Sequence, residues 1–180
     1  VKQIPTGASN LNSCFSGAVN LQRVTAYGLT FGSMGMKNLF YNCGNLTEII
    51  GMETWNTDAV VDMGSVFSGC KSLSSLNLSS FRTDNCSSFF QMFYGCKSLL
   101  SLDVKHFNAS GVVNLQNVFN GCELLSSIDL SGWTTPKAIV MNGLFSGCSS
   151  LAEIKGLDGF VTSQVTLFNS MFANCSRLEA

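Results

Sequence analysis

The pattern that decides the fold is complete in one stretch, Phe119-Asn-Gly-Cys122-Glu-Leu-Leu125-Ser-Ser-Ile128-Asp-Leu130-Ser131-Gly-Trp133-Thr-Thr135. It opens with a phenylalanine followed three residues later by a cysteine, a pair that recurs at Phe40/Cys43, Phe67/Cys70, Phe93/Cys96, Phe119/Cys122, Phe145/Cys148 and Phe172/Cys175. The steps between successive cysteines are 27, 26, 26, 26 and 27 residues. A fixed period in this range is typical of tandem repeats that stack into a solenoid.

The part of the repeat after each cysteine has the spacing of a short strand. Leu125, Ile128 and Leu130 end in an alternation of apolar and polar residues, as expected for a strand with one buried face. In the two 27-residue steps the extra residue lies beside a glycine, Gly51 or Gly156. We expect a bulge at each glycine, because glycine tolerates the backbone angles that a one-residue insertion needs.

The strand is followed by an aromatic column and a threonine column. The aromatic residues are Trp55, Phe81, Phe107, Trp133 and Phe160, and two positions after each stand Thr57, Thr83, Ala109, Thr135 and Thr162. We expect the rings to point inward and the threonine hydroxyls to bond to backbone groups of the turn.

The residues before each cysteine have the spacing of a helix. Leu115, Val118, Phe119 and Cys122 follow the order i, i+3, i+4, i+7, which places four side chains on one stripe of a helix about two turns long. Glycine and serine near the cysteine are expected to end it.

Each unit therefore has one apolar face and nothing of its own to bury it against, so neighbouring units must stack. The sequence predicts an α/β solenoid, a leucine-rich-repeat-like stack of about six to seven coils. Short parallel strands would form one face and short helical turns the other. Residues 1–180 would form a single repeat domain, and the last repeat stops soon after Cys175, so we expect a segment of a longer chain.

At this point the units resemble the roughly 26-residue repeat of BspA-like leucine-rich-repeat proteins, a family of bacterial surface proteins. Their pattern, M-x-x-M-F-x-x-C-x-x-L-x-x-L-D-L-S-x-F-x-T-x-x-V, is followed over about residues 11–180, with departures at Ala18 and Ala109. The resemblance implies a leucine-rich-repeat fold in a surface or secreted protein that binds host or matrix components. It carries no catalytic residues.

The cysteines lack the spacing of a zinc site or of a disulfide framework. Adjacent coils would place column neighbours about 4.8 Å apart, farther than the ~3.8 Å between Cβ atoms that a relaxed disulfide prefers. We predict that all eight cysteines are buried, reduced thiols. Six of them form a structural column, Cys43, Cys70, Cys96, Cys122, Cys148 and Cys175, while Cys14 and Cys86 occupy other apolar columns.

The solvent side of the strands is the predicted ligand-binding surface, because its side chains have no packing role. The candidate residues are Glu48, Ser75, Asn77, Ser101, Asp103, Ser127, Asp129, Glu153 and Lys155. Asp103 and Asp129 are predicted to stack about 5 Å apart as a like-charge contact costing about 1 kcal/mol in water. That contact indicates either a weak cation or sugar site or a plain solvated face.

The composition argues against several function classes. The net charge is −1 and only 12% of the residues are charged, with no basic run, so we expect no nucleic-acid partner. No stretch of about 18 apolar residues occurs, so we expect no membrane insertion by this segment. With one histidine and no acid-base constellation, we expect no enzymatic activity, cofactor or metal site.

Two functional hypotheses remain. The first is a cell-surface or extracellular module that binds a protein or glycan through the strand face. The second is a structural spacer or assembly unit, with further repeats or neighbouring subunits covering the ends of the solenoid.

Overall fold

The computed structural model describes residues 2–3 and 7–179, and the chain in it is a stack of coils. These described residues contain five short strands, β1 (Lys2–Gln3), β2 (Arg23–Thr25), β3 (Glu48–Ile50), β4 (Ser127–Asp129) and β5 (Glu153–Lys155). They form two parallel sheets in the orders β1-β2-β3 and β4-β5. Ile128 of β4 lies beside Ile154 of β5, one repeat apart. The solenoid with short parallel strands is therefore confirmed where these strands pair.

The two central coils lack the strands that the sequence predicts. Residues 74–78 and 100–104 have no ladder partners, although Leu100 still donates a backbone hydrogen bond to the carbonyl of Ser74 at 3.1 Å. The inward side chains of these coils, such as Leu78 and Val104, are nonetheless buried. The central coils therefore keep their inward packing without a continuous strand ladder.

The predicted helical layer is wrong: the eight residues ending at each cysteine column form consecutive turns. We refer to these stretches as the turn segments, residues 11–18, 36–43, 63–70, 89–96, 115–122, 141–148 and 168–175. Each has two residues with left-handed backbone angles, four apart, as at Ser65 (φ 55°) and Gly69 (φ 76°). An α-helix needs negative φ at every residue, so these positions exclude one.

Alternate N–H groups of a turn segment point in different directions. The Cys70 N–H donates within its own coil, to the carbonyl of Phe67 at 3.0 Å. The N–H groups of Phe67 and Gly69 donate to the next coil, to the carbonyls of Met92 at 3.0 Å and Tyr94 at 2.6 Å. The turn segments are therefore joined coil to coil by backbone hydrogen bonds, as strands in a parallel sheet are.

The core is a continuous stack of aromatic rings inside the coils. Successive phenylalanines have ring centroids 5.3 to 6.0 Å apart and planes within 10° of parallel, over Phe15, Phe40, Phe67, Phe93, Phe119, Phe145 and Phe172. The inward aromatic column is buried at Trp55, Phe81, Phe107 and Trp133 and half-buried at Phe160. The i, i+3, i+4, i+7 stripe thus identifies the inward residues correctly, although the backbone is not helical.

The two extra residues are accommodated after the strands and not within them. Gly51 (φ 90°) follows β3 and Gly156 (φ 85°) follows β5, and each leads into a three-residue 3₁₀ helix, Met52–Thr54 or Leu157–Gly159. A Cβ at Gly51 would collide with the backbone of Ala26 in the preceding coil. The expected strand bulge is therefore a left-handed turn that only glycine fits.

Candidate functional site: the strand face

The nine predicted binding residues lie in two rows on the outside of the strands, and we refer to these rows as the strand face. In β4, Ser127 is exposed, Ile128 is buried and Asp129 is half-buried, so the alternation predicted from the sequence holds there. Ser75, Asn77, Ser101, Asp103, Glu153 and Lys155 are exposed, and Glu48 is half-buried. The strand face therefore extends over the coils from β3 to β5, including the two central coils that lack paired strands.

Ion pairs connect this surface between coils. The guanidinium of Arg23 in β2 contacts the carboxylate of Glu48 in β3. The Lys105 ammonium lies 3.1 Å from Oδ2 of Asp129. Both pairs are largely exposed, so we expect each to contribute at most about 1 kcal/mol to stability.

One carboxylate of the predicted like-charge contact, that of Asp129, forms an ion pair with Lys105. Asp129 faces the side chain of Lys105, while Asp103 accepts a backbone hydrogen bond from the Lys105 N–H at 3.4 Å. The prediction compared residues only within the strand rows and did not consider Lys105, which lies two residues after Asp103 in the chain. Its ammonium compensates the charge that was expected to attract a cation.

The carboxylate of Asp129 is fixed in the ionised form. The hydroxyl and N–H of Ser131 both donate to its Oδ1, and together with Lys105 they lower the pKa of Asp129 to about 2. Asn77, two coils earlier in the same row, also accepts a hydrogen bond from the serine two residues on, from the N–H of Ser79 at 3.2 Å. These residues therefore stabilise the turn that leaves the strand face as well as being exposed on it.

Sequence reasoning missed an apolar group beside the strand face. Leu100 directly precedes Ser101 and is 57% exposed, and Leu124 in the next coil is 49% exposed. The equivalent positions to Leu100 in other coils are Thr47, Ser74, Ser126 and Ala152. A leucine in a column of small or polar residues was the signal that could have identified it.

The cysteine column lies on the inside of the solenoid, away from the strand face. Cys43, Cys70, Cys96, Cys122 and Cys148 are buried, and Cys175 is half-buried. Each thiol donates to the carbonyl of the column phenylalanine in the preceding coil, as Cys122 does to Phe93 at 3.3 Å. Burial raises the pKa of Cys148 to about 12 and that of Cys122 well above its usual value. These thiols are therefore protonated at neutral pH.

The two remaining cysteines differ from each other. Cys86 is buried, and burial raises its pKa to about 12, with smaller contributions from Asp62 and Asp84. Cys14 is exposed, contrary to the prediction that all eight thiols are buried. It occupies an inward column, but it lies in the first turn segment, which has a neighbouring turn segment on only one side among the described residues.

Metal sites and membrane-spanning helices are both absent from residues 2–3 and 7–179. No group of three or more His, Cys, Asp or Glu side chains in this part of the chain is arranged to hold a metal ion. No helix in it is long and apolar enough to span a membrane.

The coils, the inward columns and the outer rows together define a leucine-rich-repeat solenoid. The structure is similar to that of the T. pallidum leucine-rich repeat protein TpLRR, with a TM-score of 0.60 and 21% identity over 98% of this chain and 77% of that one. The comparison also finds a leucine-rich repeat protein from Bacteroides ovatus, with 17% identity and a TM-score of 0.31. The match covers 99% of this chain and 69% of the Bacteroides chain. The similarity to TpLRR confirms the leucine-rich-repeat class as a fold.

Within that class, the chain belongs to the family described as "Mycoplasma protein of unknown function, DUF285", which matches residues 9–123 and 99–180. No curated protein matches the sequence. This family is named after Mycoplasma proteins and not after BspA. Membership in the BspA-like family therefore stays a prediction.

Proposed function

We propose that this chain is a non-enzymatic binding module that contacts a protein or glycan through its strand face, on a cell surface or after secretion. One observation carries the proposal: the nine strand-face side chains are oriented to solvent over successive coils while the core is packed without them. A row of polar side chains on a rigid scaffold is the usual form of a recognition surface.

The chemistry of the strand face favours a polar partner with a small apolar contact. Serines at 75, 101 and 127 supply short donors and acceptors, which allow a ligand to approach the backbone closely. Leu100 lies at the border of these serines and offers apolar area at roughly 25 cal/mol per Å² buried. The surface therefore combines hydrogen bonding with one apolar anchor.

A binding screen tests the proposal. The immobilised chain would be tested against an array of soluble glycans and a panel of purified extracellular matrix proteins. For the best binder, we expect the double substitution Ser75→Arg and Ser101→Arg to weaken the interaction at least tenfold, because two large cations would stand on the contact surface. Leu100→Ser, which restores the residue type of its column, should weaken it about tenfold, equal to ~1.4 kcal/mol.

A matched control separates the strand face from the rest of the surface. Ser163 is exposed on the turn after the aromatic column, outside the strand rows, and Ser163→Arg adds the same side chain there. Binding should be unchanged in this control. Equal loss in the control, or full binding by the strand-face double variant, would show that the partner does not bind the strand face.

Localisation is tested separately on intact producing cells. An antibody against the folded chain should label cells that have not been permeabilised, and external protease should remove the signal. Labelling that requires permeabilisation would contradict surface display or secretion.

A further inference from the structure

Two exposed leucines lie on neighbouring coils, in columns that otherwise hold polar or small residues. Leu100 is 57% exposed and Leu124 is 49% exposed, and we refer to them as the leucine pair. The column of Leu124 otherwise holds Asn45, Ser72, Ser98 and Ser150, and the column of Leu100 holds Thr47, Ser74, Ser126 and Ala152. Adjacent exposed apolar side chains on a polar surface are typical of an interaction site.

Backbone hydrogen bonds place the leucine pair between the strand face and the turn after the cysteine column. The Leu100 N–H donates to the carbonyl of Ser74 at 3.1 Å, and the Leu124 N–H donates to that of Lys97 at 3.3 Å. Leu124 therefore lies beside the turn after the preceding cysteine, while Leu100 directly precedes the strand rows. The inward position beside Leu100 is filled by Leu99, which is fully buried, so the core has no place for the exposed leucine.

Unpaired charges of opposite sign lie on the two sides of the leucine pair. On the turn after the cysteine column, Lys97 is paired with Glu123 at 2.7 Å. Exposed Lys71, one coil earlier in the same column, forms no ion pair with any of the described residues. On the strand face, exposed Asp103 lies three residues after Leu100 and likewise has no ion-pair partner in the described part of the chain.

We propose that the leucine pair binds an extended segment of a partner protein that carries an acidic, an apolar and a basic side chain in this order. The acidic group would face Lys71, the apolar group the leucine pair and the basic group Asp103. The column of Lys71 and that of Asp103 are six residues apart in a coil, which is at most about 20 Å, so about six residues of an extended partner reach across. This inference rests on the proposed function and names its partner class.

The chemistry of this surface favours a protein over a glycan. A leucine side chain offers no donor or acceptor to a sugar hydroxyl, whereas an apolar side chain of a protein gains free energy by leaving water against it. A polypeptide also carries carboxylates, aliphatic groups and cations along one short segment. A segment bound in the reverse direction would bring like charges together on both sides, so the two charges select one direction of the bound chain.

A peptide selection on the immobilised whole chain supplies the probe. Random twelve-residue peptides displayed on phage would be selected, and the best sequence would be synthesised and titrated in solution. We expect the selected peptides to share an acidic and a basic residue about six positions apart, with an apolar residue between them. Leu124→Ser, which restores the residue type of its column, should weaken the titrated peptide at least tenfold.

Reversing one charge on each partner is the sharpest comparison. Lys71→Glu should weaken the peptide at least tenfold, because it brings two carboxylates together. A peptide whose acidic residue is replaced by lysine should bind this variant and not the unaltered chain. Lys137→Glu makes the same change at an exposed lysine on the turn after the aromatic column, and it should leave binding unchanged. Asp103→Lys tests the other side in the same way, and circular dichroism checks the fold of each variant.

Three results would overturn the proposal. The first is a selection that yields no binding peptide. The second is a peptide that binds Leu124→Ser and Lys71→Glu as well as it binds the unaltered chain, or that Lys137→Glu weakens equally. The third is a glycan that loses binding in the double variant Ser75→Arg and Ser101→Arg while no peptide binds, which would refute this inference and keep the proposed function. If no peptide, glycan or matrix protein bound the chain, the proposed function itself would fail.

Discussion

At the scale of single residues, buried hydroxyls connect neighbouring coils. Thr83 is 2% exposed, and its hydroxyl donates to the carbonyl of Asn108 at 3.2 Å and accepts from the Asn108 N–H at 2.7 Å. Thr57 makes the same two contacts with Arg82. The sequence predicted that these hydroxyls would bond to the backbone of a turn. It did not predict that the turn belongs to the next coil, because residue spacing along one coil does not show which atoms of the neighbouring coil lie opposite.

Removing one of these hydroxyls should therefore weaken the contact between two neighbouring coils. Thr83→Val keeps the shape of the side chain and leaves the N–H and carbonyl of Asn108 without a partner, so it should lower the free energy of unfolding by about 1 to 3 kcal/mol. Urea denaturation followed by tryptophan fluorescence measures this. Thr30→Val, at an exposed position, is the control and should stay within about 0.5 kcal/mol of the unaltered chain. An equal effect of the two substitutions would mean that the buried hydroxyl has no special role.

At the scale of elements, the repeat pattern predicted which residues point inward better than it predicted the backbone. Met63, Val66, Phe67 and Cys70 are all buried, as their helical spacing required. The same spacing is met by two successive turns, so periodicity alone could not distinguish them. The distinguishing signal was a pair of Gly, Asn or Ser residues four apart, such as Asn38 and Asn42, which accept left-handed angles more readily than most residues. Every turn segment except 89–96 carries such a pair, and there Gln91 takes the first position.

Some residues in and around the strand face could be predicted from the sequence, and others could not. Ser127 and Asp129 were placed correctly by the alternation of the strand. Lys105 and Leu100 were missed because each lies outside the two rows along the sequence, and contacts across coils decide their role. The absence of ladder bonds in the central coils has no counterpart in the pattern, which is the same there as in β4.

The phenylalanine column gives the sharpest test of an inward element. Phe93 is 1% exposed and lies between Phe67 and Phe119, at centroid distances of 5.7 and 5.8 Å. Phe93→Ala should lower the free energy of unfolding by about 3 to 5 kcal/mol, since it opens a cavity between two packed rings. Half-buried Phe90 in the same coil is the control, and Phe90→Ala should cost clearly less. A loss below about 1 kcal/mol at Phe93 would show that the column is not packed.

At the scale of the whole molecule, the stack accounts for a composition rich in cysteine and poor in charge. One inward position in each coil takes a small apolar side chain, and six of the eight cysteines occupy this position in successive coils. The turns take Ser, Asn, Gly and Thr, so charged residues make up only 12% of the chain. Stability is then spread along the stack as a sum of similar contacts between neighbours.

The buried thiols predict a loss of stability at high pH. Burial raises the pKa of Cys86 and Cys148 to about 12, while thiols of the unfolded chain ionise near pH 9. The folded state is therefore favoured fully below pH 9, and this contribution is lost as the pH rises from 9 toward 12, at about 1.4 kcal/mol per pH unit for each buried thiol.

Urea denaturation between pH 7 and pH 10 measures this slope. Cys86→Val removes one thiol while keeping an apolar side chain of the type found in its column. It should therefore reduce the fall in unfolding free energy with pH by the contribution of one buried thiol. An unchanged slope in this variant would mean that Cys86 is not a buried, protonated thiol in the folded chain.

The most direct test of the coil-stack account is a count of reactive thiols without reductant, in native and in denatured protein. We predict one rapidly reacting thiol in the native state, Cys14, a slower reaction at half-buried Cys175, and all eight after denaturation. Fewer than eight thiols in denaturant would reveal disulfides, and rapid reaction of most of them in the native protein would show that the cysteine column is not inside the solenoid.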